Sequence, residues 1–378
     1  MKKLYQGFKI PIYPTSQQQL VLQKFFNAKI IAYNWGLETQ RKILNAKKKL
    51  LNRKELTAAF VDKTKKSSEF TWMRDLGISR HMFYYAFDDL NNTLHDYLTH
   101  DKAFKNQYAG SPKFKSTRDT KKTFGQRNDM KLIVSDNQVQ VAKLGKVYAD
   151  KELLSRVGKI YKPNQLVSIR FTFDGDNYYV SFNKRIVHPD LVTEGKSIGI
   201  DLGIKTWATS SEGINLSYPE KRLKPQLKKL RQVNQKIAHS NPSTKHRQKL
   251  YANRRKITRH ITAIMRNLIQ NYISELLGIK PRKIVMENLA VKGMNRSPLW
   301  NHKLKYSQFR YFRDEMEYRC TREGIEFVLA DRFYPSSQIC SNCGHKQKMT
   351  LDKRVYKCPK CRQEIGRDLN AAINLSKF

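Results

Sequence analysis

The stretch SIGIDLGIKTWATSS, residues 197–211, decides how this chain is read. An apolar strand runs into Asp201, a short Gly-Ile-Lys turn follows, and a second strand-like run completes a hairpin. INLSY, residues 214–218, supplies a third antiparallel arm. Further along, RKIVMENL (282–289) is a fully apolar strand ending at Glu287 and Asn288. A helical pattern over 304–324, a strand IEFVLA at 325–330 and a last helix opening at Asp368 complete the region. Antiparallel strands followed by alternating strand and helix predict a mixed α/β sheet with helices on its faces.

Three acids stand at the ends of these elements: Asp201, Glu287 and Asp368. Each alone has a plain reading, Asp368 for example as an acid complementing a helix N-terminus. Gathered on one sheet edge, they would repel one another in low dielectric unless they held cations, and oxygen donors suit Mg²⁺. Two such ions about 4 Å apart stabilise both the attacking and the leaving oxygen in phosphodiester hydrolysis.

Between the last strand and the last helix lie Cys340, Cys343, Cys358 and Cys361, in two C-x-x-C pairs. That spacing predicts a tetrahedral zinc ribbon with four thiolate ligands, closed and therefore structural. The fifth cysteine, Cys320, sits on a helical pattern and reads as a buried small hydrophobe.

Among 378 residues there are 73 Lys plus Arg against 32 Asp plus Glu, a formal charge of +41. Such an excess selects a polyanionic partner, nucleic acid first. No apolar run is long enough for a membrane span, and the N-terminus lacks the unbroken apolar core of a signal peptide, so a cytoplasmic protein is expected. Residues 221–260 hold fourteen Lys or Arg and no acid, broken only by HSNPST (239–244). A run so unbalanced repels itself unless an anion lies against it, which makes Lys228, Lys229, Arg254 and Arg255 candidate nucleic-acid contacts.

The N-terminal half is built differently. Residues 4–13 alternate like a strand, Thr15 and Gln18 form a capping-box pattern, and helical spacing then continues to about Leu98. Phe83, Phe87, Leu90 and Leu94 share one helix face and read as core. KLIVSDNQVQVAKL (131–144) and VSIRFTFDGDNYYVSF (167–182) read as hairpins. Together with the first strand they predict a small β-barrel into which the helical lobe is inserted.

GIDLGIKTWATSS, KIVMENLAVKGM, FYPSSQICSNCG and GRDLNAAINL resemble the RuvC-like motifs and zinc knuckle of the transposon-encoded TnpB family, RNA-guided endonucleases similar to type V CRISPR effectors. IYPTSQQQLVLQKFFNAKIIAYNWGL and SPKFKS resemble its opening segments, so the likeness spans nearly the whole chain. It implies an RNase H-like RuvC domain (191–332 and 363–378) with an inserted zinc ribbon (333–362). It also implies an N-terminal wedge-like β-barrel (1–14 and 106–190) with an inserted helical recognition lobe (15–105). Asp201, Glu287 and Asp368 become the catalytic Mg²⁺ ligands, in a prokaryotic protein. The partners implied are a guide RNA from the transposon end and a double-stranded DNA target beside a short adjacent motif, with base pairing choosing the target. Arg80, Tyr84 and Gln126 become candidate readers of that motif, and Lys113 and Lys115 candidate contacts to the RNA backbone. A nuclease-inactive RNA-guided DNA-binding protein is the alternative on the same scaffold. A guide-free junction resolvase would not need the N-terminal half. Two departures stand out: Arg362 follows the last cysteine where the family often has Gly, and Gly366 precedes Arg367 where it commonly has an acid.

Overall fold

The computed structural model describes residues 4–99, 111–117, 121–126, 132–157, 166–203, 206–242, 244–289, 306–350 and 353–378. The chain divides into two units, Met1–Ile186 and Val187–Phe378, each with its own hydrophobic core.

In the first unit, β1 (Leu4–Tyr13) buries Leu4, Ile10 and Ile12. Thr15 caps α1 (Ser16–Asn45), and the Gln18 side chain returns to the Thr15 backbone, closing the expected capping box. Asn52 and Glu55 repeat the device at α2 (Arg53–Lys66). After α3 (Thr71–Asp75), α4 (Arg80–Thr99) turns Phe83, Phe87, Leu90 and Leu94 into the core, as their spacing predicts. The remaining elements are β2 (Lys122–Gln126), β3 (Ile133–Ser135), β4 (Gln138–Val141), β5 (Gly145–Ala149), α5 (Lys151–Ser155), β6 (Leu166–Phe173) and β7 (Tyr178–Ile186).

These strands form one antiparallel sheet in the order β2-β6-β7-β1-β5-β4-β3. The first strand in sequence thus lies at its centre, and α1 to α4 form an insertion between β1 and β2. Among the described residues the backbone ladder leaves β2 and β3 as edges, where a closed barrel was expected. A side chain spans the gap: Gln126 on β2 donates to the Gln140 carbonyl (3.2 Å) and accepts from the Ala142 N–H (2.9 Å). The helices are tied to the sheet by charge as well as packing. Lys29 on α1, 2% exposed, donates to one Asp89 oxygen at 2.6 Å, and Arg170 on β6 to the other at 2.9 Å. Burial pushes the Asp89 carboxyl up, but Lys29 and Arg170 outweigh it and hold it below the usual range.

In the second unit, β8 (Ser197–Leu202), β9 (Thr206–Ser210) and β10 (Asn215–Ser217) form the expected antiparallel arms. Next come α6 (Glu220–Ala238), α7 (Lys245–Gly278), β11 (Lys283–Met286), α8 (Phe309–Glu323) and β12 (Glu326–Leu329). The sheet order is β10-β9-β8-β11-β12, with β11 parallel to both neighbours and α8 on the crossover that parallel pairing demands. Trp207, fully buried, stacks on Phe309 and donates its indole N–H to the Ser307 carbonyl. Cys320 is buried as expected, its thiol pushed up to about 12 by desolvation. The hairpin of β13 (Val355–Lys357) and β14 (Glu364–Gly366) then runs directly into α9 (Arg367–Ser376). The strand that pairs with β13 thus lies beyond 362, where the ribbon was expected to end. No helix among the described residues is long and apolar enough to cross a membrane. Of the expected features, residues 127–131, the turn at 204–205 and the segment after Leu289 to 305 lie outside the described residues.

Candidate active site and metal centre

Asp201 and Glu287 are brought together by strand register. The parallel pairing of β8 and β11 sets Ile200 opposite Met286, so the next residue on each strand is an acid, and the Glu287 N–H donates to the Ile200 carbonyl at 3.3 Å. Asp368 arrives from α9, which packs across β8. That approach requires Gly199: a Cβ there would lie 2.0 Å from the Ala372 carbonyl oxygen. Asp368 sits in the first turn of α9 and accepts from both Nε (3.2 Å) and a terminal nitrogen (3.0 Å) of Arg367.

Asp201 lies within electrostatic reach of both other acids. Burial first, then the charges of Glu287 and Asp368, push the Asp201 carboxyl well above its ordinary range, against the pull of Arg367. Burial also raises Glu287, partly opposed by a hydrogen bond from the Leu202 backbone. Like charges held together at the end of buried strands are costly without a counter-cation, and hard oxygen donors suit a hard divalent one. Among the described residues, the one group of three or more metal-ligating side chains whose donor atoms all lie within 4.8 Å of one another is the four cysteines; Asp201, Glu287 and Asp368 do not draw that close in this structure.

The sulfurs of Cys340, Cys343, Cys358 and Cys361 all lie within 4.8 Å of one another. Two of the separations are 3.6 Å (Cys340–Cys361) and 3.5 Å (Cys343–Cys358), near the roughly 3.8 Å edge of a tetrahedron with metal–sulfur bonds of about 2.3 Å. Disulfides are excluded by those lengths. The backbone N–H of Gln363 leads in pushing Cys361 down to about 6. Cys343 moves the other way, to about 11: the His345 N–H pulls it down, and burial and the neighbouring thiols outweigh it. A thiophilic ion would replace those shared protons.

Each knuckle turns through the left-handed region, at Gly344 (φ 74°) and at Arg362 (φ 60°). Arg362 thus occupies a conformation that suits the glycine which the family often carries there. Arg362→Gly is expected to stabilise the ribbon by about 1 kcal/mol, measured as a slower loss of structure under chelator.

Two residues not predicted from the sequence hold the ribbon against the candidate site. Asn370, fully buried on α9, accepts from the Ser341 N–H (2.9 Å) and donates to the Ile339 carbonyl (2.7 Å). Asn374, one turn later, donates to the carbonyls of Ser336 (2.8 Å) and Ile339 (2.6 Å). Two asparagines at i and i+4 on an otherwise apolar face were the available signal, since buried amides need partners. Asn370→Ala strips the buried Ser341 N–H of its acceptor while the Ile339 carbonyl keeps Asn374, and a loss of about 1–3 kcal/mol is expected in thermal or denaturant unfolding.

The predicted nucleic-acid residues fare unequally. Arg80, Lys113, Lys228, Lys229 and Arg254 are exposed, and Arg255 is half-buried. Gln126 is 3% exposed with both ends of its amide engaged, so its expected role in reading bases is replaced by a structural one. Tyr84 is half-buried, its ring covered by Arg53 at 4.3 Å. Lys115 lies over the Tyr33 ring at 3.7 Å, and burial, then the charge of Lys29, pushes it down to about 8. Both are thus less available to a ligand than expected. On α6 and α7, Lys229, Lys236, Lys256, Arg259 and His260 line a cleft of about 720 Å³ without an acid, a grouping finer than the basic run alone conveys.

Three family profiles match in chain order. Residues 1–49 match the IS605 OrfB "Helix-turn-helix domain", 179–297 the IS605 OrfB profile described as "Probable transposase", and 309–375 the "Cas12f1-like, TNB domain". In this chain the first of these segments is a strand followed by one uninterrupted helix. A Streptomyces pristinaespiralis protein, provisionally named an RNA-guided DNA endonuclease, is 24% identical over 99% of this chain and 89% of its own length. A TnpB-like protein of Acanthamoeba polyphaga mimivirus is 28% identical over 56% of this chain, which spans 43% of that relative. Among solved structures, a Cas12f1–sgRNA–target DNA complex aligns over 99% of both chains at 17% identity and a TM-score of 0.37. CasPhi-2 bound to crRNA aligns over 64% of this chain and 60% of its own at 12% identity and 0.40. Both are too distant to carry functional weight. The ordered profile matches and the relative matched along nearly its whole length make the chain similar, from end to end, to the TnpB-type proteins of IS605 transposons.

Proposed function

We propose that this protein is an RNA-guided DNA endonuclease whose cleavage site is Asp201, Glu287 and Asp368. The observation that supports the reading is the strand register that sets Asp201 beside Glu287, together with the close packing of α9 on β8 that brings in Asp368, whose charge acts on Asp201. The name carried by the Streptomyces relative points the same way. In this reading the second unit is an RNase H-like RuvC domain and the first a wedge with its recognition lobe. Zn²⁺ is held by Cys340, Cys343, Cys358 and Cys361, and two Mg²⁺ ions by the three carboxylates. When bound, Mg²⁺ supplies Lewis acidity toward the phosphodiester and its attacking water. The chain's own contribution is to gather the carboxylates at the strand ends, where a bound cation would offset the burial that disfavours their charge, with Arg367 orienting Asp368.

The exposed cations Arg80, Lys113, Lys228, Lys229 and Arg254 are assigned to phosphate contacts, which position nucleic acid without reading it. The guide, made from the transposon end, selects the DNA, and the protein reads only a short adjacent motif. The complete acid set favours the nuclease over a binding-only relative.

The test is to purify the protein with RNA transcribed from its own locus, sequence that RNA, and challenge the complex with plasmid carrying a matching target. A discrete RNA with a variable end and guide-matched cutting is expected in Mg²⁺. Bulk cellular RNA with no target-dependent cutting would refute the proposal.

A further inference from the structure

Two tyrosines that no function above uses stand side by side on the outer face of the first unit's sheet. Antiparallel pairing of β1 and β5 sets Tyr13 directly opposite Tyr148, and the two are 57% and 54% exposed. Directly opposed residues have Cβ atoms about 5 Å apart, so the two side chains are neighbours on one face. Alternation turns Ile12, Val147 and Ala149 inward, which leaves the tyrosines no core to join. Lys146, two residues before Tyr148 on β5, and Lys9, four before Tyr13 on β1, are exposed on the same strands, and the Lys9 ammonium lies 3.9 Å over the Tyr179 ring. Tyr13 also lines a cleft of about 810 Å³ with Pro11, Pro14, Tyr178 and Tyr179, bordered by Asp176 and Asn177 at the β6–β7 turn.

Large aromatic side chains left exposed in adjacent register, flanked by lysines, are the makings of a surface for unpaired nucleotides. The rings take base faces, the ammonium groups take phosphates, and a duplex, whose bases are already stacked, gains nothing from the rings. We infer that the Tyr13–Tyr148 face is a stacking platform for an unpaired segment of RNA. RNA is chosen because Gln138, opposite Tyr148, and Gln140, opposite Lys146, place amide side chains along the same face, suited to the 2′-hydroxyl. The inference rests on the reading of this chain as an RNA-binding protein; it is independent of whether the chain cuts DNA.

The test uses the full chain without divalent cations, at salt high enough to suppress charge-driven binding. The probe is a 12-nucleotide RNA carrying 5-iodouridine, compared with DNA of the same sequence and with the RNA duplex. Irradiation is expected to crosslink the single-stranded RNA to peptides holding Tyr13 or Tyr148. Tyr13→Leu combined with Tyr148→Leu is expected to weaken the single strand by about tenfold per ring, leave the duplex within about twofold and keep the salt slope unchanged. The paired Tyr→Phe variant keeps the rings and should bind like the parent. Equal loss for the duplex, no loss for single-stranded RNA, loss confined to DNA, or equal loss in the Phe variant would each overturn the inference. Failure of guide-directed cutting with these crosslinks intact would remove the nuclease reading and leave the platform standing.

Discussion

Asp201→Asn is expected to abolish target cleavage, by on the order of a thousandfold or more, while the complex with RNA and target DNA still assembles. The substitution conserves shape and removes one anionic oxygen from the acid cluster. Each 1.4 kcal/mol of transition-state stabilisation lost is about tenfold in rate, so removing a ligand charge from a divalent-cation site readily reaches this size. Gel-shift and cleavage assays on one preparation separate the two outcomes. Cleavage at the parental rate would refute the role of Asp201.

The same substitution carries a stability signature. Asp201 has its carboxyl raised in the folded state, by burial first and by Glu287 and Asp368 next. A group whose folded pKa lies above its unfolded one binds more protons when folded. Stability then falls as pH rises from the ordinary carboxylate range near 4 through the raised value, and the deficit persists above it. Without divalent cations, the parent is therefore expected to lose melting temperature as pH rises above the ordinary carboxylate range by more than Asp201→Asn does. At neutral pH the Asn variant should melt a few degrees higher, since about 1 kcal/mol corresponds to roughly 2–4 °C in a larger domain. Added Mg²⁺ should raise the parent selectively, because it binds the folded carboxylates. Parallel melting curves across pH for both proteins would count against the coupling.

Cys358→Ser is expected to unfold the ribbon before it affects chemistry. The small core around the thiols consists of Cys340, Tyr356 and Cys358, with Met349 and Ile365 packed beside it. So little apolar surface cannot order a hairpin of three-residue strands alone, and a structural zinc site supplies about 10–16 kcal/mol of binding free energy to folding. With three thiols remaining, zinc content should fall well below one ion per chain. Because Asn370 and Asn374 clamp the first knuckle to α9, that helix should lose protection as well, carrying Asp368 with it. Metal analysis with hydrogen exchange over 336–376 makes the check. A variant that keeps α9 protected while losing its metal would show that the ribbon does not support Asp368.

Much of this architecture was legible in one dimension because it is locally encoded. The Thr15–Gln18 capping box, the stripe of Phe83, Phe87, Leu90 and Leu94, and the turn-separated arms of β6 and β7 each specify their own conformation within a few residues. The paired cysteines are legible for the same reason: thiolates two apart on a tight turn have little use beyond a metal or redox site. Gln126, Tyr84 and Lys115 were not legible. Their side chains are engaged by Ala142, Arg53 and Tyr33, partners 16, 31 and 82 positions away in sequence.

The order and type of the elements, the positions of the acids and thiols and the attraction to polyanions were determined by sequence alone, since they depend on periodicity, spacing and composition. Tertiary structure decided the rest: that strand register sets Asp201 beside Glu287, that Gly199 admits α9 and so Asp368, and that Tyr13 faces Tyr148 in the open. The reason is physical. Register, close backbone approach and exposure depend on which distant segments pack together, a property of the whole fold that no local run of residues carries.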